Sequence, residues 1–172
     1  MSGKKVAIVM GGDGDLPAAK RASKLLESFG VASEMRIISA YRTPVTTSKF
    51  SEIAADDGFG VIIVAAGRAA HLAGVIAAYT TLPVIGLPLR TSTLDELGAL
   101  LSILQMPKGI PVAAVGIDCA ENAAVLAVQI LALSDDSLKK KLIAAKKHME
   151  EESLAKDLEL NIEQESKSCY TI

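Results

Sequence analysis

Four short segments of this 172-residue chain carry side chains of a kind that does chemistry. Gly11-Gly12-Asp13-Gly14-Asp15 is glycine-rich and leads into a helical pattern; the free backbone N–H groups and the dipole of a helix N-terminus suit a phosphate. Its spacing is not that of the dinucleotide fingerprint, and it lacks the P-loop Lys. A turn capped by Asp15 explains the same residues equally well. Ser39-Ala40-Tyr41-Arg42-Thr43-Pro44 places a guanidinium beside a helix start, where it can fork onto a phosphate or stand in water next to a capping Thr43. Ala65-Ala66-Gly67-Arg68-Ala69-Ala70-His71 joins an apolar run to a helical one and holds one of only two histidines. A lone His is more often structural than catalytic, and His148, among Lys and Glu, reads as a solvated surface residue. Pro88-Leu89-Arg90-Thr91-Ser92, with Ser102–Gly109 behind it, offers polar groups able to close over a ligand.

The elements that must position these segments follow from periodicity. Short β-branched runs predict strands at Val6–Met10, Met35–Ile38, Gly60–Ala66, Pro83–Gly86 and Pro111–Val115. Between them lie helical patterns. The first opens on Asp15-Leu16-Pro17, a cap and an early helical Pro, and stops at Gly30; the second opens on Thr43-Pro44 and runs to about Asp56. Further helices are expected at His71–Tyr79, Leu94–Leu104, Ala120–Leu133 and Leu138–Leu158. Repeated strand–helix alternation implies a parallel sheet with helices on both faces, and in such sheets ligands bind outside the carboxyl ends of the strands. All four segments follow predicted strands.

Composition narrows the function. Half the residues are hydrophobic but only 3% are aromatic, with no Trp, so no row of base-stacking platforms for single-stranded nucleic acid exists. Residues 1–133 carry 11 basic and 11 acidic side chains and residues 134–172 carry 7 and 9; a neutral body with a slightly acidic tail attracts neither nucleic acid nor an anionic membrane. No apolar stretch approaches the ~18 residues of a spanning helix, and the first apolar run stops at Gly11 without a signal-peptide pattern. Cys119 and Cys169 lack metal-ligand spacing, so a cytoplasmic protein without a disulfide framework is expected. The chain divides into a body, residues 1–133, and a C-terminal helix and tail, residues 134–172, docking on the body or on a neighbouring subunit.

Taken together, the four segments, with Pro83–Pro88, Ser102-Ile103-Leu104-Gln105-Met106-Pro107, Gly109-Ile110-Pro111-Val112 and Asn122, resemble the N5-carboxyaminoimidazole ribonucleotide mutase and aminoimidazole ribonucleotide carboxylase (PurE) family over roughly residues 5–133. That resemblance implies a flavodoxin-like α/β/α sandwich with a five-stranded parallel sheet, usually assembled as a homo-octamer. It implies carboxylate transfer on an imidazole ribonucleotide in purine biosynthesis, either from the N5-carbamate or from CO2, without metal or organic cofactor. By the same resemblance Gly11, Gly12, Asp13, Gly14 and Arg42 would hold the phosphate, Asp15 the ribose, Ser39, Gly67 and Ala69 the rest of the substrate, and Tyr41 with His71 would handle protons; Arg68 and Arg90 could add a grip on an extra carboxylate or phosphate, or equally form surface or intersubunit ion pairs.

The chain departs from the family pattern within this pocket. Tyr41 stands where the family loop has His, Gly12 and Gly14 where it has serines, and Ala73 where it has Pro; Arg68 and Arg90 are added guanidiniums. A phenol titrates near pH 10, about three units from neutrality, which makes it a poor reversible shuttle beside an imidazole at about 6.5. Three functions follow as expectations: a working family member, a divergent paralogue acting on another heteroaromatic acid or nucleotide, and a non-catalytic scaffold.

Overall fold

A computed structural model describes residues 3–67, 71–90 and 96–168. Within them the apolar runs form five parallel strands, β1 (Lys5–Met10), β2 (Ser33–Ile37), β3 (Phe59–Ala66), β4 (Val84–Pro88) and β5 (Ala113–Ala114), in the order β2-β1-β3-β4-β5. Alternation along the strands assigns each residue to a face. Val6, Ile8 and Met10 of β1 with Val61, Ile63 and Ala65 of β3 pack beneath α1 (Leu16–Ser28) and α5 (Ala120–Leu131). Ala7, Val9, Ile62 and Val64 face α2 (Pro44–Ile53) and α3 (His71–Tyr79) on the other side. The flavodoxin-like three-layer sandwich expected from the sequence is therefore present. The chain leaves β1 toward β2 on one side and later returns to β3 on the other, which makes the carboxyl ends of β1 and β3 the topological switch point where such sheets bind ligands.

Small residues set the helix packing. Ala18, Ala19 and Ala22 of α1 and Ala120, Ala123, Ala124 and Ala127 of α5 are all buried, so two helices share one face of the sheet at close range. Gly86 in β4 does the same for α4 (Glu96–Leu104): a Cβ there would stand 2.5 Å from Ile103 Cγ2. α1 ends as Gly30 predicts. With Gly30 at φ +74, its N–H bonds Glu27 O at 2.8 Å and the N–H of Val31 bonds Leu26 O at 2.9 Å, the paired bonds of a Schellman cap.

Several boundaries differ from the sequence reading. β5 is two residues long, not Pro111–Val115, because Pro111 donates no ladder bond and the chain turns at Asp118, φ +57. β2 begins at Ser33, drawn in by its pairing with Val6. The last helix, α6, runs Asp136–Ser168, ten residues past Leu158, where a frayed end was expected. Asp135 caps α6, its Oδ1 accepting the N–H groups of Ser137 and Leu138 at 2.9 and 3.2 Å. Leu138 is buried and Lys141 Nζ donates to Phe29 O, at the end of α1, at 2.7 Å. Beyond that turn Ile143, Met149, Leu154, Leu158 and Ile162 are exposed.

Candidate functional site

The first two loops at the carboxyl edge of the sheet fold against each other. After β2, Ser39 organises a tight turn: its Oγ accepts the N–H groups of Tyr41 and Arg42 at 3.4 and 3.2 Å, its N–H donates to Thr43 Oγ1 at 2.9 Å, and its carbonyl accepts the N–H of Thr43 at 2.9 Å. Thr47, fully buried in α2, donates from Oγ1 toward the carbonyls of Ser39 and Thr43 at 3.2 and 3.0 Å. Every polar atom of Ser39 is thus engaged, and the turn is fixed to the helix below it.

That turn aims Arg42 across the edge. Its Nη2 donates to Gly11 O in the loop after β1 at 2.6 Å, and Gly11, Gly12, Asp13, Ile37, Ser39, Arg42 and Thr43 enclose an open cleft of about 410 Å³. A guanidinium has five N–H donors, so the one spent on Gly11 O leaves others able to meet an anion.

The glycine-rich loop is a single 3-10 turn, Asp13–Asp15, running into α1. Asp15 does not cap the helix with its side chain, as the sequence suggested. Its backbone is already helical, at φ −86 and ψ −7, so the carboxylate instead turns back to the N–H groups of Gly11 and Gly12. Burial raises the Asp15 pKa above the ordinary carboxylate value; those two N–H groups oppose the shift and the nearby Asp13 charge adds to it. Thr43 makes no side-chain cap on α2 either, because its Oγ1 is bound to Ser39. Neither Gly12 nor Gly14 has positive φ. A Cβ would stand 3.7 Å from Arg42 Nη2 at Gly12 and would meet nothing within 4 Å at Gly14, so the backbone requires glycine at neither position.

Tyr41, 72% exposed, reaches from the same turn to the start of α3, where its Oη hydrogen-bonds His71 Nδ1. The rings meet edge to face, 5.9 Å between centroids and 76° between planes. His71 is the first residue of α3, whose next turn is anchored by buried Leu72, Ala73 and Ile76. Gly67 follows β3, while Arg68 and Ala69 lie outside the described residues, as do Thr91 and Ser92.

Arg90 occupies a separate network. Its N–H donates to Asp118 Oδ1 at 3.0 Å and its Nε lies 3.5 Å from Asp118 Oδ2. Asp118 has φ +57, a left-handed conformation that Asp tolerates better than most residues, and its carbonyl accepts Arg21 Nη2 at 2.6 Å. The sequence reading named neither Asp118, Arg21 nor Thr47. A Thr one turn after Thr43 was the signal for Thr47; Arg21 and Asp118 are 97 residues apart and leave none.

The AIR carboxylase (AIRC) family profile matches residues 5–152. An N5-carboxyaminoimidazole ribonucleotide mutase from Pyrococcus abyssi is 54% identical over 80% of this chain and 79% of its own length. A chloroplastic phosphoribosylaminoimidazole carboxylase from Vigna aconitifolia is 50% identical over 77% of this chain, which spans only 24% of that longer protein. Among solved structures, Treponema denticola PurE superposes with a TM-score of 0.84 at 26% identity, covering 91% of this chain and 98% of its own.

Proposed function

Given that the chain belongs to the AIR carboxylase family, we propose that it transfers a carboxylate on an imidazole ribonucleotide, from the exocyclic N5-carbamate to ring carbon C4 or from CO2 directly to C4. The observation that carries this reading is the continuity of the turn after β2. Arg42 faces the glycine loop across the cleft, and its chain neighbour Tyr41 touches His71. An anion grip and a proton-handling pair thus sit one residue apart, as a phosphorylated substrate with a reacting ring requires.

In the mutase direction the carbamate C–N bond breaks with its electron pair left on nitrogen, which takes a proton. The released CO2 is attacked by C4, and the C4 proton then leaves to restore the aromatic ring. One proton is given and one recovered, so the residues need only hold the ribonucleotide still, keep CO2 close and pass a proton both ways. Arg42 and the Gly11–Gly14 loop take the phosphate, Asp15 accepts from ribose hydroxyls, Ser39 fixes the turn, and Tyr41 with His71 handles the proton. Gly67 and Arg90 take the rest of the substrate. Direct carboxylation needs only the second half of this cycle.

Assembly into a homo-octamer in the cytoplasm completes the proposal. The exposed Ile143, Met149, Leu154 and Leu158 of α6 support docking of residues 134–172 on a neighbouring subunit as well as on the body, residues 1–133. Among the described residues no helix is long and apolar enough to cross a membrane. The deciding experiment supplies the carbamate nucleotide, or the amine nucleotide with bicarbonate, and follows the 4-carboxylated product. Turnover with either establishes the reading, and turnover with neither removes it.

A further inference from the structure

We infer that Tyr41 is a positioning residue for His71: its Oη accepts the Nδ1–H of the imidazole and leaves Nε2 as the only atom of the pair that exchanges a proton with substrate. The inference rests on the reaction proposed above and assigns its proton traffic to one nitrogen.

The turn that carries Tyr41 is held from three directions. The Tyr41 N–H is bound to Ser39 Oγ, the adjacent Arg42 is bound to Gly11 O, and the turn is closed by the N–H of Thr43 on Ser39 O. His71 is held by α3, whose next turn is buried. With both partners fixed, the contact between Oη and Nδ1 decides the tautomer.

A phenol both donates and accepts, so two arrangements satisfy that contact. If Tyr41 donates, the lone pair of Nδ1 is occupied and the proton of the neutral ring sits on Nε2. That ring has no basic nitrogen left to offer, and a neutral imidazole N–H is too weak an acid to protonate a carbamate nitrogen. If Tyr41 accepts, Nε2 carries the free lone pair in the neutral ring and an acidic proton in the cation. The bond from Nδ1–H to Oη is then the same in both forms, so a proton goes on and off Nε2 without rearrangement at Tyr41. Only the second arrangement supports a cycle that gives a proton and takes one back. The exposure of Tyr41 fits it, since solvent can accept the phenolic proton. Oη itself takes no part in transfer.

The test begins without substrate. The chain has two histidines, and His148 lies far along α6 beside Glu152, at 3.2 Å, where it serves as an internal reference. Long-range ¹⁵N–¹H correlation spectra of ¹⁵N-histidine-labelled full-length protein, recorded with the rings neutral, report which nitrogen of His71 carries hydrogen. Nδ1–H is expected to predominate, with a shift toward Nε2–H in Tyr41→Phe and no change at His148. Predominant Nε2–H in the unaltered protein, or an unchanged His71 spectrum in the variant, overturns the inference. In kinetics with the carbamate nucleotide, Tyr41→Phe is expected to lower kcat roughly ten- to hundredfold with KM within about twofold; an unaltered kcat overturns it equally. Because the tautomer is read in the free protein, absence of turnover in every form would count against the proposed reaction and leave the spectroscopic result standing.

Discussion

Arg42 Nη2 donates to the carbonyl oxygen of Gly11 at 2.6 Å, so the side chain that faces the cleft also ties together the two loops that form it. Arg42→Lys removes the planar fork and with it the ability to hold Gly11 O and an anion at once. The affinity for ribose 5-phosphate, measured by calorimetry, is expected to fall roughly ten- to hundredfold, the worth of one or two charge-assisted hydrogen bonds. An affinity within twofold of the parent would place the phosphate elsewhere.

Gly12 and Gly14 occupy conformations open to any residue, with room for a Cβ at each. Gly12→Ser and Gly14→Ser each add a hydroxyl donor to the loop beside the cleft. Binding of the same phosphate should tighten a few-fold per substitution, with stability equal or higher by up to about 1 kcal/mol from the stiffer unfolded chain. A drop in melting temperature would show that the loop depends on glycine.

Asp15 gives a pH signature whose sign follows from its burial. Its pKa is raised on folding, so the native state holds that proton more tightly than the unfolded chain does. Stability is therefore lost as pH climbs from the ordinary carboxylate value through the raised one, and the full penalty persists above it. Asp15→Asn should raise the melting temperature at neutral pH by a margin that vanishes in acid, while weakening nucleotide binding by roughly tenfold. A margin that grows in acid would contradict the burial argument.

Tyr41→His keeps an acceptor for the Nδ1–H of His71 and adds a second imidazole at the same edge. Its kcat is expected to equal or exceed that of the parent, in contrast to the loss in Tyr41→Phe. Steady-state rates for the three proteins side by side decide it, and a His variant slower than the Phe variant would show that geometry at Oη, not hydrogen bonding, is what matters.

Gly86→Ala tests the seat of α4 on the sheet. The new methyl would stand 2.5 Å from Ile103 Cγ2 and 3.1 Å from Cδ1, and overpacking of this kind costs about 1–3 kcal/mol. Chemical denaturation should show that loss, and Ile103→Ala in the same chain should return part of it, a coupling that a double-mutant cycle measures directly.

The succession of strands and helices was legible because local signals agreed with the global fold: β-branched runs such as Val61–Val64 end at Gly or Pro, and Gly30 stops α1 where its pattern stops. Loop chemistry was less legible. Asp15 and Thr43 carry the residue types of helix caps, yet the polar atoms nearest them, the N–H groups of Gly11 and Gly12 and the backbone of Ser39, compete for the same oxygens and win. Thr47 reads as an ordinary helical residue until its hydroxyl is seen beneath Ser39. Asp118 is joined to Arg21 and Arg90 only by tertiary folding, which no local pattern encodes.

Composition changes character at Ser134, but Leu138 is buried and Lys141 closes the carbonyl end of α1 through Phe29. A chain cut where the composition shifts would lose a core side chain and leave that helix terminus uncovered. A chain cut one turn after Lys141 would keep both. The 33-residue α6, about 50 Å long, therefore belongs to the body by its first three turns, through Leu138, Lys141, Leu142 and Ala145. Its remaining length is free to evolve under whatever it meets outside the protomer, and trimming it residue by residue would separate the stability of the fold from the stability of any assembly.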